Sequence, residues 1–287
     1  MCPDRCRRGE VSRCSQRTRN VTASMPEGHT IHRIAIEHSK ILRGKHVGVS
    51  SPQGRFAADA AMVDGVRLRE LEAFGKHLFY HWANGLMGHV HLGLFGRFRV
   101  YRGPAPLDTP TVRMRLAVPK ATIDLIGPTE CSIGTADDRD RIVRRLGPDP
   151  LRPDADPQKA YESIVRRVAP IGQLLLDQKV ISGLGNIYRA EALFVNRINP
   201  NRPGNLITPA DFDGLWATIV QMLERGVAED RIVTLDRDLF DVPAGIARRG
   251  ETTYVYHRDL CLRCGSPILI VQLGGRACYF CPVDQPR

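Results

Sequence analysis

The sequence predicts an α+β protein of two domains, and three patterns predict it. Alternating strand-like segments around an Asn-Gly turn fill the first half of the chain, behind one leading helix. Apolar residues at helical spacing dominate the second half, beyond a stretch rich in Pro and Asp. Four of the eight cysteines then gather close to the C-terminus.

Element by element, Ile31, Ile34, Ala35, His38 and Leu42 recur at helical spacing, so residues 27–43 predict the leading helix. His77-Leu78-Phe79-Tyr80-His81-Trp82 and the run from Met87 to Leu94 flank Ala83-Asn84-Gly85, a hairpin signal. Val112-Arg113-Met114-Arg115-Leu116 alternates strictly, with two arginines on one face and three apolar side chains on the other. These patterns assign residues 25–145 to a largely β domain. Residues 146–157, from Leu146-Gly147-Pro148-Asp149-Pro150 to Asp156-Pro157, read as a linker. Residues 158–253 form the helical domain, with helical patterning over 158–228, and 254–287 form a small module around the cysteines. The first 24 residues differ from all of this: six arginines, Cys2, Cys6 and Cys14, and no apolar periodicity. They predict a disordered extension that is no part of the working protein.

The net charge is +10, of which the extension supplies +4 through six Arg against Asp4 and Glu10. A basic balance of this size fits a polyanionic partner, nucleic acid above all. No apolar run reaches the length of about 18 residues needed to span a bilayer. The arginine-rich start lacks an apolar core, which excludes a secretory signal. Clustered cysteines at metal-ligand spacing point to a metal site in a reducing cytoplasm rather than to a disulfide framework.

Met25-Pro26-Glu27-Gly28-His29-Thr30 reads as a second start. With the preceding residues gone, Pro26 presents a secondary α-amine, of which roughly a tenth is unprotonated at pH 7. Condensation with an aldehyde-level carbon then gives an iminium ion. Within a peptide bond the same nitrogen has no available lone pair. Cys261-x-x-Cys264, followed after 16 residues by Cys281-Pro-Val-Asp284, is a zinc-ribbon frame. Asp284 is the favoured fourth ligand, since a carboxylate oxygen ligates zinc at about 2.0–2.2 Å. Cys278 is its rival, through Cys278-x-x-Cys281. One structural Zn²⁺ is expected, and no redox or nucleotide cofactor. The run Ile171, Leu174, Leu175 leads into Ser182-Gly183-Leu184-Gly185-Asn186, a glycine turn opening a new helix near Asn186. Such a helix start presents bare N–H groups to phosphate.

Taken together, these pieces resemble the formamidopyrimidine-DNA glycosylase and endonuclease VIII family of base-excision repair enzymes. The resemblance spans residues 25–287. It rests on Pro26-Glu27-Gly28 after a Met, Gly75-Lys76-His77-Leu78, His91-Leu92-Gly93-Leu94-Phe95-Gly96, Arg145-Leu146-Gly147-Pro148-Asp149, Gly183-Leu184-Gly185-Asn186 and the terminal ribbon with Arg276 in its hairpin. The Pro-Glu-Gly start and the Leu94-Phe95 pair are similar to the endonuclease VIII-like branch of actinobacterial type.

The resemblance implies an N-terminal β-sandwich, a helix–two-turn–helix domain and a zinc ribbon, with damaged double-stranded DNA in the cleft between and a monomer in the bacterial cytoplasm. It implies Pro26 as nucleophile at C1′, Glu27 as adjacent acid/base, Lys76 as phosphate ligand and proton-transfer aid, and Asn186 and Arg276 as grips on the phosphates flanking the lesion. Arg276 is also implied in the second elimination. Arg145 and His91 would contact DNA, and Leu94 and Phe95 would wedge into the gap left by a flipped base; the alternative for both is a place in the β core. The implied activity is excision of oxidised bases, pyrimidines favoured, followed by β,δ-elimination. The alternatives are a non-catalytic lesion binder, if the extension stays attached, and a preference for oxidised purines. His29-Thr30 departs from the family pattern, where an acidic residue is common at the second position. Asp284 departs from a terminal Cys.

Overall fold

The computed structural model describes residues 26–106, 110–236 and 251–287. The expected extension, residues 1–24, lies outside them, as does 237–250 of the expected helical domain.

The leading helix, α1 (Gly28–Leu42), buries Ile31, Ala35, His38 and Leu42 along one stripe. Eight strands follow, interrupted by a short helix: β1 (Gly48–Ser50), α2 (Ala57–Val63), β2 (Leu68–Phe74), β3 (His77–Trp82), β4 (Met87–His91), β5 (Arg97–Arg102), β6 (Val112–Val118), β7 (Ala121–Ile126) and β8 (Glu130–Gly134). They form two four-stranded antiparallel sheets, ordered β1-β6-β7-β5 and β2-β3-β4-β8. Between them lies one apolar core that includes Leu68, Leu78, Tyr80, Trp82, Val90, Phe98, Leu116, Ile123 and Leu125, with α1 contributing Ile31 and Leu42. This is a β-sandwich with a helix at its N-terminus.

The Asn-Gly hairpin forms where the sequence predicts it. Trp82 N–H donates to the Leu86 carbonyl at 3.0 Å, and the Asn84 side chain accepts from Leu86 N–H at 3.2 Å. β4 stops at His91, short of the predicted Leu94, because Gly96 N–H turns back onto the Leu92 carbonyl at 3.0 Å. The arginine face of β6 serves the fold: Arg115 lies opposite Asp124 in register and grips it through both oxygens, at 2.7 and 2.8 Å.

After α3 (Ala136–Val143), whose start is held by a Thr135–Asp138 capping box, the chain crosses to the second domain. The crossing is stitched down. Gly147 N–H donates to the Gln178 carbonyl at 2.9 Å, and Ser182 N–H donates to the Pro148 carbonyl at 3.0 Å. The Asp-Pro that ends it is the N-cap and first residue of α4 (Pro157–Val165). Helices α5 (Ile171–Leu174), α6 (Asn186–Val195) and α7 (Pro209–Glu229) complete the domain around Ile164, Leu175, Ile181, Leu193, Leu215 and Leu223. The hairpin β9 (Leu269–Leu273) and β10 (Arg276–Phe280) packs on α6 through a third core with Ala190, Phe194 and Tyr254.

Glu72 joins the sandwich to the crossing segment by accepting from Arg139, from Arg152 at 2.9 Å and from His81 at 3.1 Å. Burial alone would raise its carboxyl, but these three partners outweigh it and bring the pKa down to about 2. A depressed carboxylate stabilises above its unfolded pKa and loses that contribution as pH falls through the folded one. Glu72→Gln is therefore expected to be less stable than the parent at neutral pH, with the difference closing between the ordinary glutamate range and about pH 2. Urea midpoints across that window would show it; a difference independent of pH would contradict the assignment.

Candidate active site

The site is built where three glycine-bearing turns touch. Gly28 N–H donates to the Gly183 carbonyl at 2.7 Å, and a Cβ on Gly28 would sit 2.9 Å from Gly183 Cα. Gly75, at φ +57°, approaches the same turn, where a Cβ would meet Ser182 Cβ at 2.9 Å. The Pro26-Glu27-Gly28 start, the Gly75-Lys76 turn and the Gly183-Leu184-Gly185 turn thus pack backbone against backbone, which side chains would prevent.

Glu27 occupies two helix starts at once. Its backbone opens α1, while its side chain, 1% exposed, reaches the N-terminus of α6. There it accepts from Gly185 N–H at 2.8 Å and from Ile187 N–H at 3.0 Å. A Cβ at Gly185 would stand 2.3 Å from the Glu27 carboxyl carbon, so the approach requires glycine. Burial raises the Glu27 pKa, against the lowering pull of the Lys76 charge and the helix N–H groups. Lys76, half-buried on the adjoining turn, is pushed down by burial; Glu27 pulls it up and Arg276 pushes it further down. An acid held towards its neutral form thus sits beside a lysine held towards its own. Arg276 reaches this electrostatic neighbourhood from the tip of the β9–β10 hairpin.

Four residues that sequence reasoning missed hold these parts in place. Asp149, 1% exposed, accepts from Gly75 N–H at 2.7 Å and pairs with His32 of α1 at 2.7 Å, so one carboxylate ties the lysine turn to the helix behind Pro26. Arg189 is fully buried and donates to the carbonyls of Gly172, Leu273 and Ala277 and to Asn186 Oδ1, which clamps α6 onto the hairpin that carries Arg276. Asn186 itself donates to the Ala277 carbonyl at 3.0 Å. Glu191 gathers the N–H groups of Tyr254, Val255 and Tyr256. Tyr188 lies under His29, ring edge to face at 5.3 Å. His29 is buried against α7 and pushed down to about 3 by desolvation, and Thr30 hydrogen bonds to its ring at 3.2 Å. A buried Asp, Arg or Glu in an apolar pattern is the signal that could have found the first three.

Leu94 and Phe95 are 55% and 79% exposed at the turn after β4, which removes them from the β core. His91 ends β4 at the same edge, opposite His77. Arg145 is exposed, just beyond the end of α3.

The sulfurs of Cys261, Cys264 and Cys281 and a carboxylate oxygen of Asp284 lie within 4.8 Å of one another. Arg263 N–H and Asp284 N–H each donate to a knuckle sulfur at 3.4 Å. This set fits a tetrahedral ion with sulfur bonds of about 2.3 Å. Cys278, the rival fourth ligand, lies outside this cluster: it pairs across the hairpin with Val271 and is wholly buried in the core beneath α6. Alternation along β10 turns it away from the knuckles.

The comparisons agree with this architecture. Residues 12–128 match the model of the formamidopyrimidine-DNA glycosylase N-terminal domain, and 146–237 that of the formamidopyrimidine-DNA glycosylase H2TH domain. The chain is 44% identical over 270 residues to endonuclease 8 1 of Mycobacterium tuberculosis, covering 91% of this chain and 100% of that relative. It is 33% identical over 272 residues to a formamidopyrimidine-DNA glycosylase of Nocardioides, covering 90% and 88%. Its fold matches the crystal structure of MutM (Fpg) from Thermus thermophilus with a TM-score of 0.72 at 27% identity, over 91% and 98% of the two chains. The Lactococcus lactis Fpg bound to abasic-site DNA superposes with a TM-score of 0.76 at 20% identity, over 91% and 100% of the two chains, a likeness of fold. The chain belongs to the formamidopyrimidine-DNA glycosylase and endonuclease VIII family.

Proposed function

We propose that the protein is a base-excision repair DNA glycosylase with AP-lyase activity, acting on oxidised pyrimidines in double-stranded DNA. The observation that carries this reading is the meeting of Glu27, Lys76 and the Arg276 hairpin around the turn at Pro26. Pro26, freed of the residues before it, attacks C1′; the C1′–N bond to the base breaks and an iminium forms. Glu27 serves as the acid/base at the opening sugar ring. Lys76, Asn186, Arg276, Arg145 and His91 engage the backbone, and Leu94 and Phe95 fill the space left by the flipped nucleotide. Proton removal and two successive C–O cleavages then leave a one-nucleotide gap.

Cys261, Cys264, Cys281 and Asp284 would hold one zinc, whose contribution is to fold the hairpin rather than to enter the reaction. Metal analysis is expected to return about one zinc per chain, as one four-ligand knuckle pair implies. Cys278→Ser should keep that zinc and Cys281→Ser should lose it. The reverse pattern would restore Cys278 as a ligand. Among the described residues no helix is long and apolar enough to cross a membrane.

Incision of thymine-glycol and 8-oxoguanine duplexes by protein beginning at Pro26 tests the reading. Faster cutting at thymine glycol supports it; faster cutting at 8-oxoguanine would move the substrate to oxidised purines. A second reading follows from one fact: in the 287-residue chain Pro26 nitrogen is an amide. If that chain persists in the cell, the protein is a lesion binder that does not cut.

A further inference from the structure

A file of aromatic rings lies on the outer face of the second sheet and ends at the lysine turn. Strand alternation puts Leu78, Tyr80 and Trp82 into the core and leaves His77, Phe79 and His81 on the opposite face. On β4, Val90 points inward and His89 and His91 outward. The rings run from Phe79 to His89, stacked at 5.1 Å, on to His77 at 5.1 Å, and finally to His91 at 4.9 Å. One contact is a hydrogen bond: His77 Nδ1 and His89 Nε2 are 2.9 Å apart.

The position of this file is fixed by register. His77 pairs with His91, and His91 with Glu130, so these three share the last row of the sheet. Gly75 and Lys76 turn the chain just beyond that row, and Leu94 and Phe95 project from the loop that follows it. The Lys76 charge is felt at both His77 and His91.

We propose that the His77–His89 pair is a further phosphate site of the DNA-binding surface, in which His77 donates to a backbone phosphodiester beside Lys76 and His91 while His89 holds the opposite nitrogen of His77. This inference rests on the DNA-repair reading above. The hydrogen bond needs one proton between two ring nitrogens. When His89 supplies it, His77 carries its own proton on Nε2, the nitrogen left for a ligand.

A second consequence is proton coupling. In the free protein burial lowers all three imidazoles, His77 to about 3 and His89 to about 4. His77 is pushed further by His89, His91 and Lys76, while Glu130 offsets part of this at His89 and His91. Three further charges lie along the file: Arg139, over the Phe79 ring at 6.0 Å, its partner Glu72, opposite Phe79 in register, and Asp138, which lines one groove with Phe79 and His89. A phosphodiester arriving beside Lys76 adds a negative charge, cancels part of the lysine's effect and raises the pKa of the pair. A group whose pKa rises on binding strengthens binding below the bound-state value and loses that contribution as pH rises through it. One proton taken up steepens affinity by at most about tenfold per pH unit.

The test is binding of the full chain to a duplex carrying a tetrahydrofuran abasic analogue, at pH 6 and pH 8 and fixed ionic strength. Wild-type affinity should rise about tenfold on going from pH 8 to pH 6, as expected when uptake of one proton sets in midway between them, against about a hundredfold for full uptake across both units. His77→Phe and His89→Phe, which keep a ring in the stack, should lose most of that rise, and the exposed His46→Gln should keep it. At pH 6 the dependence of log affinity on log salt should be shallower by about 0.9 in His77→Phe than in the parent, the loss of one phosphate contact. Imidazole proton signals of the wild-type chain give a readout that needs no variant: those of His77 and His89 should titrate at higher pH in the complex. Equal pH dependence in parent and both variants, or imidazole signals unmoved by DNA, would overturn the site. Tight binding without this dependence counts against the histidine site alone; failure to bind the duplex at either pH counts against the repair reading as well.

Discussion

Glu27→Gln is expected to bind an abasic-site duplex as the parent does and to lose base excision by about 10²- to 10⁴-fold, the usual contribution of one positioned acid/base. The geometry says why a substitution that changes one atom matters. Both oxygens of Glu27 accept backbone N–H groups, from Gly185 and Ile187. An amide there keeps one acceptor and turns an NH₂ group against an N–H, leaving a buried donor unpaired at a cost of about 1–3 kcal/mol. The variant therefore also loses stability, and excision has to be measured below its melting transition. The functional loss has a separate cause: Gln cannot release or take up a proton, and burial has already brought the Glu27 carboxyl towards its protonated form. Excision at the parent's rate by a folded Glu27→Gln protein would remove Glu27 from the chemistry.

The second large effect belongs to the nitrogen of Pro26. Protein that begins at Pro26 should be trapped on an abasic duplex by borohydride, and the 287-residue chain should not. An α-amine is unprotonated in roughly a tenth of molecules at pH 7, whereas an amide nitrogen has given its lone pair to the carbonyl. The difference is therefore close to all-or-none. Equal trapping by both proteins would mean that a different amine attacks, and Lys76, on the adjoining turn, is the candidate.

The sequence made the outline of this molecule legible where periodicity and turn chemistry act locally. The stripe of Ile31, Ala35 and Leu42, the Asn84-Gly85 hairpin, the alternation of β6 and the helix opening at Asn186 all stand in the structure. Two short helices did not show through. α2 is a single apolar-edged stretch packed against the sandwich, and α3 buries no residue at all, so neither carries a helical stripe. The metal knuckles were readable as a frame, but Asp284 and Cys278 could be separated only by the hairpin register that sends Cys278 into the core. Leu94 and Phe95 were ambiguous for the same reason, since an apolar pair looks alike whether buried or presented.

The supporting residues of the site were hidden for a different reason. Asp149 acts on Gly75 and His32, and Arg189 on Leu273 and Ala277, across separations that no local pattern encodes. The glycines were visible as motifs, yet their purpose was not. Only the structure brings Gly28, Gly75 and Gly183 to one point and shows Gly185 under the Glu27 carboxyl. The departure at His29-Thr30 likewise acquires a physical setting, a neutral imidazole wedged between Tyr188 and Gly226.

Mapping the borohydride-trapped adduct identifies the attacking nitrogen most directly. Protein beginning at Pro26 is reduced on an abasic duplex, digested, and the DNA-bearing peptide sequenced by mass spectrometry. The modification is expected on the nitrogen of Pro26, with Lys76 unmodified. An adduct on Lys76 would contradict this and transfer the nucleophile to the second turn of the site.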